Sequence, residues 1–169
     1  MSTTLALRWL KMLLLLMTAL FASVVVFGNL TDYGSNYAFV QHVLSMDTTF
    51  EGNKLMWRAI TSPALHTLAY GLIILTEAAL AAFAWVGTYR LYRKLNADAR
   101  AFSQAKAYGF VAYAVGLVLF FFGFIVVGSE WFAMWQSPTW NGKQTAMDIV
   151  EVLLGSTILL ALPERELAE

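Results

Sequence analysis

The run LHTLAYGLIILTEAALAAFAWVG (residues 65–87) carries two ionisable side chains, His66 and Glu77, in an otherwise apolar stretch. A carboxylate deep in a membrane span costs a few kcal/mol or more, so it faces protein or a polar pathway and is a functional candidate. If this run is a helix, Glu77 lies about 13 residues, or ~20 Å, along it. His66 stands eleven residues earlier, close to three turns, so the two share a face, and Tyr70 lies along the same side. A second acidic pair, Asp148 and Glu151, stands at i and i+3 near the end of the chain, with Gly155 following on that face. Arg58, just ahead of the His66 run, is the natural cation for these acids. The pattern predicts a polar seam inside a helical bundle, with Arg58, His66, Asp148 and Glu151 in its outer half and Glu77 deeper. Such a seam can handle a proton or a cation. Contact with a partner protein or a bound small molecule is an alternative. The structural reading is a protonated Glu77 bonded to a neighbouring carbonyl or to a hydroxyl such as Ser23 or Tyr113.

Other chemistry finds less support. Haem b wants two facing axial ligands, but His66 is the one histidine placed in an apolar run and His42 falls in a loop. His66 with Asp148 and Glu151 has the right ligand types for a metal but no fixed-spacing motif. No nucleophile-and-base pattern or Gly-rich phosphate loop is present, so the reading leans away from an enzyme. The absence of cysteine excludes disulfides and thiolate chemistry. No cofactor is predicted.

The elements that must position these residues are membrane helices. The 169-residue chain is 59% hydrophobic and 13% charged, against a soluble norm of roughly 45–50% and about 25%. The surplus is gathered into four blocks, residues 12–30, 64–87, 108–128 and 146–162. A bilayer core about 30 Å thick needs about 20 helical residues. The first three blocks suffice, and the fourth needs shielding by protein at its outer end. The first block is too long for a typical signal peptide and reads as a retained helix. The expected fold is an all-α, four-helix membrane bundle forming one domain. Its outer loops span 31–62 and 129–145, and a link spans 88–107.

Basic residues set the orientation. Arg8, Lys11, Arg90, Arg93, Lys94, Arg100, Lys106 and Arg165 lie on one side, and Lys54, Arg58 and Lys143 on the other. Both termini are therefore expected in the cytoplasm. Net charge is zero, so nucleic acid is not an expected partner.

The outer loops are rich in aromatic residues. Tyr37, Val40 and Leu44 share a face of one short predicted helix, and Trp131, Phe132 and Trp135 share a face of another, with Trp140 beyond Pro138. Both helices are expected at the membrane interface, as an aromatic belt or as a docking surface for another membrane protein. YAFVQ (37–41) and FAMWQ (132–136) are alike, which points to two parallel hairpin repeats. In the third block Gly109, Gly116 and Gly123 recur at seven-residue spacing and predict a stripe for close helix packing, against Gly71 and Ala78 of the second block.

The segments KMLLLLMTALFASVVVFGNLTDYGSNYAFVQHVLSMDTTF, WRAITSP and GSEWFAMWQSPTWNG together resemble the DUF2165 family of small predicted bacterial integral membrane proteins. The resemblance spans nearly the whole chain. It implies four helices in a bacterial inner membrane and no particular activity. The leading expectation is an accessory or interaction subunit of a membrane complex, alongside the lipid bilayer and a protein partner or homo-oligomer. The alternatives are a small transporter or channel component using Glu77, and a redox protein binding haem or quinone.

Overall fold

A computed structural model describes residues 2–167, and these are helical wherever they are regular. Four spans are long and apolar enough to cross a bilayer: Thr3–Thr31, Pro63–Arg93, Ala99–Trp131 and Lys143–Ala161. We label them α1 (Thr3–Thr31), α3 (Pro63–Arg93), a composite third span, and α6 (Lys143–Ala161). A shorter helix, α2 (Tyr33–Ser45), follows α1. The third span is built from α4 (Ala99–Ala105), α5 (Ala107–Leu117) and a π-helical segment, Val118–Trp131.

Local chemistry sets several boundaries. Ser2 caps α1 by accepting from Leu5 N–H at 3.3 Å, and Asp98 caps α4 by accepting from Ala101 N–H at 2.7 Å. Pro63 opens α3 at its first turn, where its missing N–H costs nothing. α2 ends at Met46, which takes a left-handed φ of 55°.

One face of the bundle carries the first turns of α1, the segment 162–166 and the turn at 94–98, and is called here the terminal face. The other, the loop face, carries the segments 46–62 and 132–142. α1 packs on α3, α3 on α5, and α6 on α5 and the π segment. The core of the terminal half holds Leu15, Ala84, Leu91, Ala112 and Leu160. Its closest approach is at glycine. A Cβ built on Gly87 would lie 2.7 Å from Leu15 Cδ2 and 3.0 Å from the backbone nitrogen of Gly109. So α3 and α5 cross at Gly87, while Gly71, named from the sequence, has nothing within 4 Å.

The glycine stripe is two residues long, not three. Gly109 is covered by Leu15 and Leu160, and Gly116 by Leu153 and Leu80. Around Gly123 only atoms of its own helix come within 4 Å. The reason is the change of winding at Val118. A π-helix bonds i to i+5, as in Phe132 N–H to Val127 C=O at 3.0 Å, so seven residues no longer make two turns. Beyond Val118 the third span also parts from α3. The gap is an apolar groove of about 400 Å³, walled by Leu72, Ile73, Thr76, Val118 and Phe122.

The two loops form one cap with its own small core of Val43, Met46, Phe132, Ala133 and Met134. Thr48 and Ser137 hydroxyls meet at 2.7 Å, and Phe50 N–H donates to Gln136 Oε1 at 3.2 Å. The first expected short helix is α2, but its Val40 and Val43 are buried in protein instead of facing headgroups. The second does not form. The π segment runs through Trp131, the chain turns at Ala133 (φ 52°), and a single 3₁₀ turn covers Met134–Gln136. Phe132 is therefore buried while Trp131 and Trp135 are exposed, so the three do not share a face. YAFVQ lies within α2 and FAMWQ spans the turn, so the two similar segments have different structures.

Candidate functional site

Glu77 is 4% exposed and sits on the buried face of α3 with His66, Tyr70, Leu80 and Ala84. Its partner comes from α1. Asn29 Nδ2 donates to Glu77 Oε2 at 2.6 Å, and Tyr70 Oη donates to the Asn29 carbonyl oxygen at 3.0 Å. Three residues from two helices thus form one network, with Asn29 as its hinge. Ser23 and Tyr113 do not take part. Ser23 Oγ donates to Ala19 C=O at 2.7 Å and accepts from Trp85 Nε1 at 3.0 Å, and Tyr113 lies beside Thr18 and Ser156.

This network borders a cavity of about 490 Å³ in the loop-side half. Asn36, Asn141 and Thr145 supply further polar groups, and Phe21, Phe39, Phe120, Phe124 and Ile149 supply the apolar wall. The cavity exists because α1 and α6 close on each other only lower down, where Leu15 and Leu160 both press on Gly109. Glu77 Oε1 has no hydrogen-bond partner among the described residues and is not sealed from solvent-sized space. The site can therefore accept a hydrogen bond or a positive charge.

The expected seam is divided into four places. His66 is buried, with Nε2 donating to Ile60 C=O at 2.7 Å and Nδ1 unpartnered among the described residues. The Arg58 guanidinium lies over the rings of Trp57 and Trp131, at 5.2 and 4.6 Å from their centroids, and donates to Trp131 C=O at 3.2 Å. It does not reach the acids of α6. Asp148 and Glu151 are exposed, and Asp148 accepts from Gln144 Nε2 at 2.7 Å. Helical phase explains this. α6 buries Ala146, Val150, Leu153, Ser156 and Leu160, and Asp148 and Glu151 fall on the other side. Among the described residues no three His, Asp or Glu gather as a metal ligand set.

The aromatic residues also disperse. Tyr37 stacks with Tyr33 at 5.9 Å, and both lie against Tyr70. Trp140 stacks on His42 at 4.6 Å and meets Phe39 edge-on at 6.3 Å. Trp131 pairs with Trp57 and Trp135 with Phe50.

Sequence reasoning missed two groups. The amides Asn29, Asn36 and Asn141 escaped because none is ionisable; the signal was an Asn inside the apolar run VVVFGNL. The second group is a clasp at the terminal face. Arg8, Lys11 and Lys106, read from the sequence as topology signals alone, are each buried. Glu164 pairs with Lys11 at 2.5 Å and with Lys106 more closely still. Leu162 C=O accepts from both lysines, at 3.1 and 2.8 Å. Arg8 donates to the carbonyls of Leu95, Ala97 and Arg165 and lies over the Phe102 ring. Burial pushes the Glu164 carboxyl up, but the hydrogen bonds and charges of Lys106 and Lys11 outweigh it and hold it below the usual range.

No curated protein and no solved structure matches the chain. A family model described as a predicted small integral membrane protein (DUF2165) matches residues 7–163.

Proposed function

We propose a transport role for this chain, which belongs to the DUF2165 family of predicted small integral membrane proteins: a small transporter or channel component that binds a proton or cation at Glu77. One observation carries the reading. Glu77 borders a loop-side cavity of about 490 Å³ with one oxygen held by Asn29 and the other without a hydrogen-bond partner among the described residues. Intramembrane carboxylates that face the bundle interior or a cavity mark proton and ion pathways in many membrane proteins. The terminal half is closed by the Gly87–Gly109 crossing and the Glu164 clasp. With eight basic residues on the terminal side and three on the loop side, the positive-inside rule favours the loop-side half, and the cavity in it, lying toward the outer side of a bacterial inner membrane. The test is flux in proteoliposomes. Wild type should move protons or small cations, and Glu77→Gln should abolish that flux while keeping its fold. A wild type with no flux ends the reading.

A second reading, an accessory subunit of a membrane complex, is favoured by α6. Its exposed side carries Asp148 and Glu151 along a membrane span. Charges facing lipid are rare in such spans. Gentle extraction from the native membrane followed by native mass spectrometry should then yield a stoichiometric second protein. A chain that runs alone excludes this role.

A further inference from the structure

The cavity beside Glu77 is neither purely polar nor closed, and its lining restricts what it can hold. Among the described residues that line it, Glu77 is the one carboxylic acid, and no Lys, Arg or His is present. An anionic head would meet a carboxylate with no compensating cation. A cationic head finds Glu77 Oε1, which has no hydrogen-bond partner among the described residues. The amides of Asn36 and Asn141 and the Thr145 hydroxyl add neutral hydrogen-bonding groups.

The remaining wall is a row of rings. Phe21 and Phe120 lie 6.5 Å apart, Phe120 and Phe124 5.8 Å, and Phe124 and Phe39 6.2 Å. Aromatic faces attract organic cations and also accept hydrocarbon. Phe21 of α1 lines the cavity and is 42% exposed, and Thr145 and Asn141 of the lining are exposed as well, so the lining reaches the surface both along α1 and at the loop end. The α1 side faces the bilayer. A volume of about 490 Å³ suits a head and a few carbons. A longer tail has a lateral exit into lipid.

We infer that the cavity takes an amphiphile with an ammonium head, entering from the bilayer between α1 and α6, with its head at Glu77 and its chain along the Phe21–Phe120–Phe124 row. The inference rests on reading Glu77 as a cation-binding group and names the class of cation.

The test is native mass spectrometry of the purified full chain, released from a neutral detergent and titrated with dodecylammonium, dodecanol and dodecanoate. Dodecylammonium should give a one-to-one adduct, more weakly matched by dodecanol and not by dodecanoate. Glu77→Gln should weaken the ammonium adduct by roughly thirtyfold or more, the loss expected when one member of a desolvated charge pair is removed. Ile149→Trp, which keeps Glu77 but fills the lateral lip, should also abolish it, so the test survives if the first variant does not fold. Equal binding of dodecanoate, or an unchanged ammonium adduct in either folded variant, overturns the inference. If dodecylammonium does not bind but proteoliposomes show a Glu77-dependent flux of protons or small cations, the amphiphile is wrong and the cation site stands. If neither binding nor flux is found, both fall.

Discussion

Asn29 and Glu77 meet side chain to side chain at 2.6 Å across 48 positions of sequence, and the bond ties the loop-side end of α1 to the middle of α3. Both residues are buried, so each has little water to fall back on. Removing either partner should leave the other under-satisfied, at a cost of about 1–3 kcal/mol. A cycle of Asn29→Ala, Glu77→Ala and the double variant, read by unfolding in detergent, should give a coupling of about 0.5–3 kcal/mol. Additivity of the two single effects would mean that the bond does not contribute to the fold.

The crossing of α3 and α5 makes a sharper steric prediction. A methyl on Gly87 meets the flexible end of Leu15 at 2.7 Å, but it also meets the Gly109 backbone nitrogen at 3.0 Å and Tyr108 C at 3.3 Å. Backbone cannot rotate away, so the helices must separate. Gly87→Ala should therefore cost roughly 1–3 kcal/mol. Gly71→Ala is the control, because nothing lies within 4 Å. Its effect should be neutral or a gain of up to about 1 kcal/mol from helix propensity. Thermal midpoints in one detergent decide the matter, and equal midpoints for the two variants would contradict the packing.

The four spans were legible because hydrocarbon length and backbone hydrogen bonding leave a membrane chain few options. The buried face of α3 was legible too, since His66, Tyr70 and Glu77 follow helical phase. The site was less so. Which side of α6 turns inward depends on the fit of Leu153 to Gly116, and polarity alone pointed Asp148 and Glu151 the wrong way. Gly123 failed because the shift to π-winding at Val118 has no simple sequence mark. The clasp was missed because lysines and arginines beside an apolar block read first as topology signals. Only the fold reveals that Glu164 returns to them.

Glu151 lies on the exposed side of α6, eight residues after the start of the helix at Lys143, which is ~12 Å of rise. If lipid covers that side, replacing the carboxylate by Leu removes a charge that costs about 2–3 kcal/mol at such depths. Glu151→Leu should then raise the unfolding midpoint in vesicles. If a partner subunit covers it instead, the same change should leave the isolated chain stable but release the partner on gentle extraction. The variant in native membranes, resolved by native gel migration, separates the two.

The clasp makes stability depend on acid. Glu164 has a side chain 4% exposed and bonds to Lys11 and Lys106, which hold its carboxyl below the usual range despite burial. Unfolded, the group titrates near its ordinary value of about 4.3. A carboxyl with a lowered native pKa contributes stability that is complete above the unfolded value and is lost as pH falls through the native one. At neutral pH, Glu164→Gln leaves Arg8, Lys11 and Lys106 buried together with no paired anion among the described residues. The cost of such an uncompensated cluster is about 3–5 kcal/mol. The gap between wild type and Glu164→Gln should therefore be full at pH 7, begin to narrow near the ordinary carboxyl value and close in stronger acid. Thermal midpoints of both proteins over that range supply the comparison. A gap that stays constant with pH would show that Glu164 acts by packing or neutral hydrogen bonding and not by its charge.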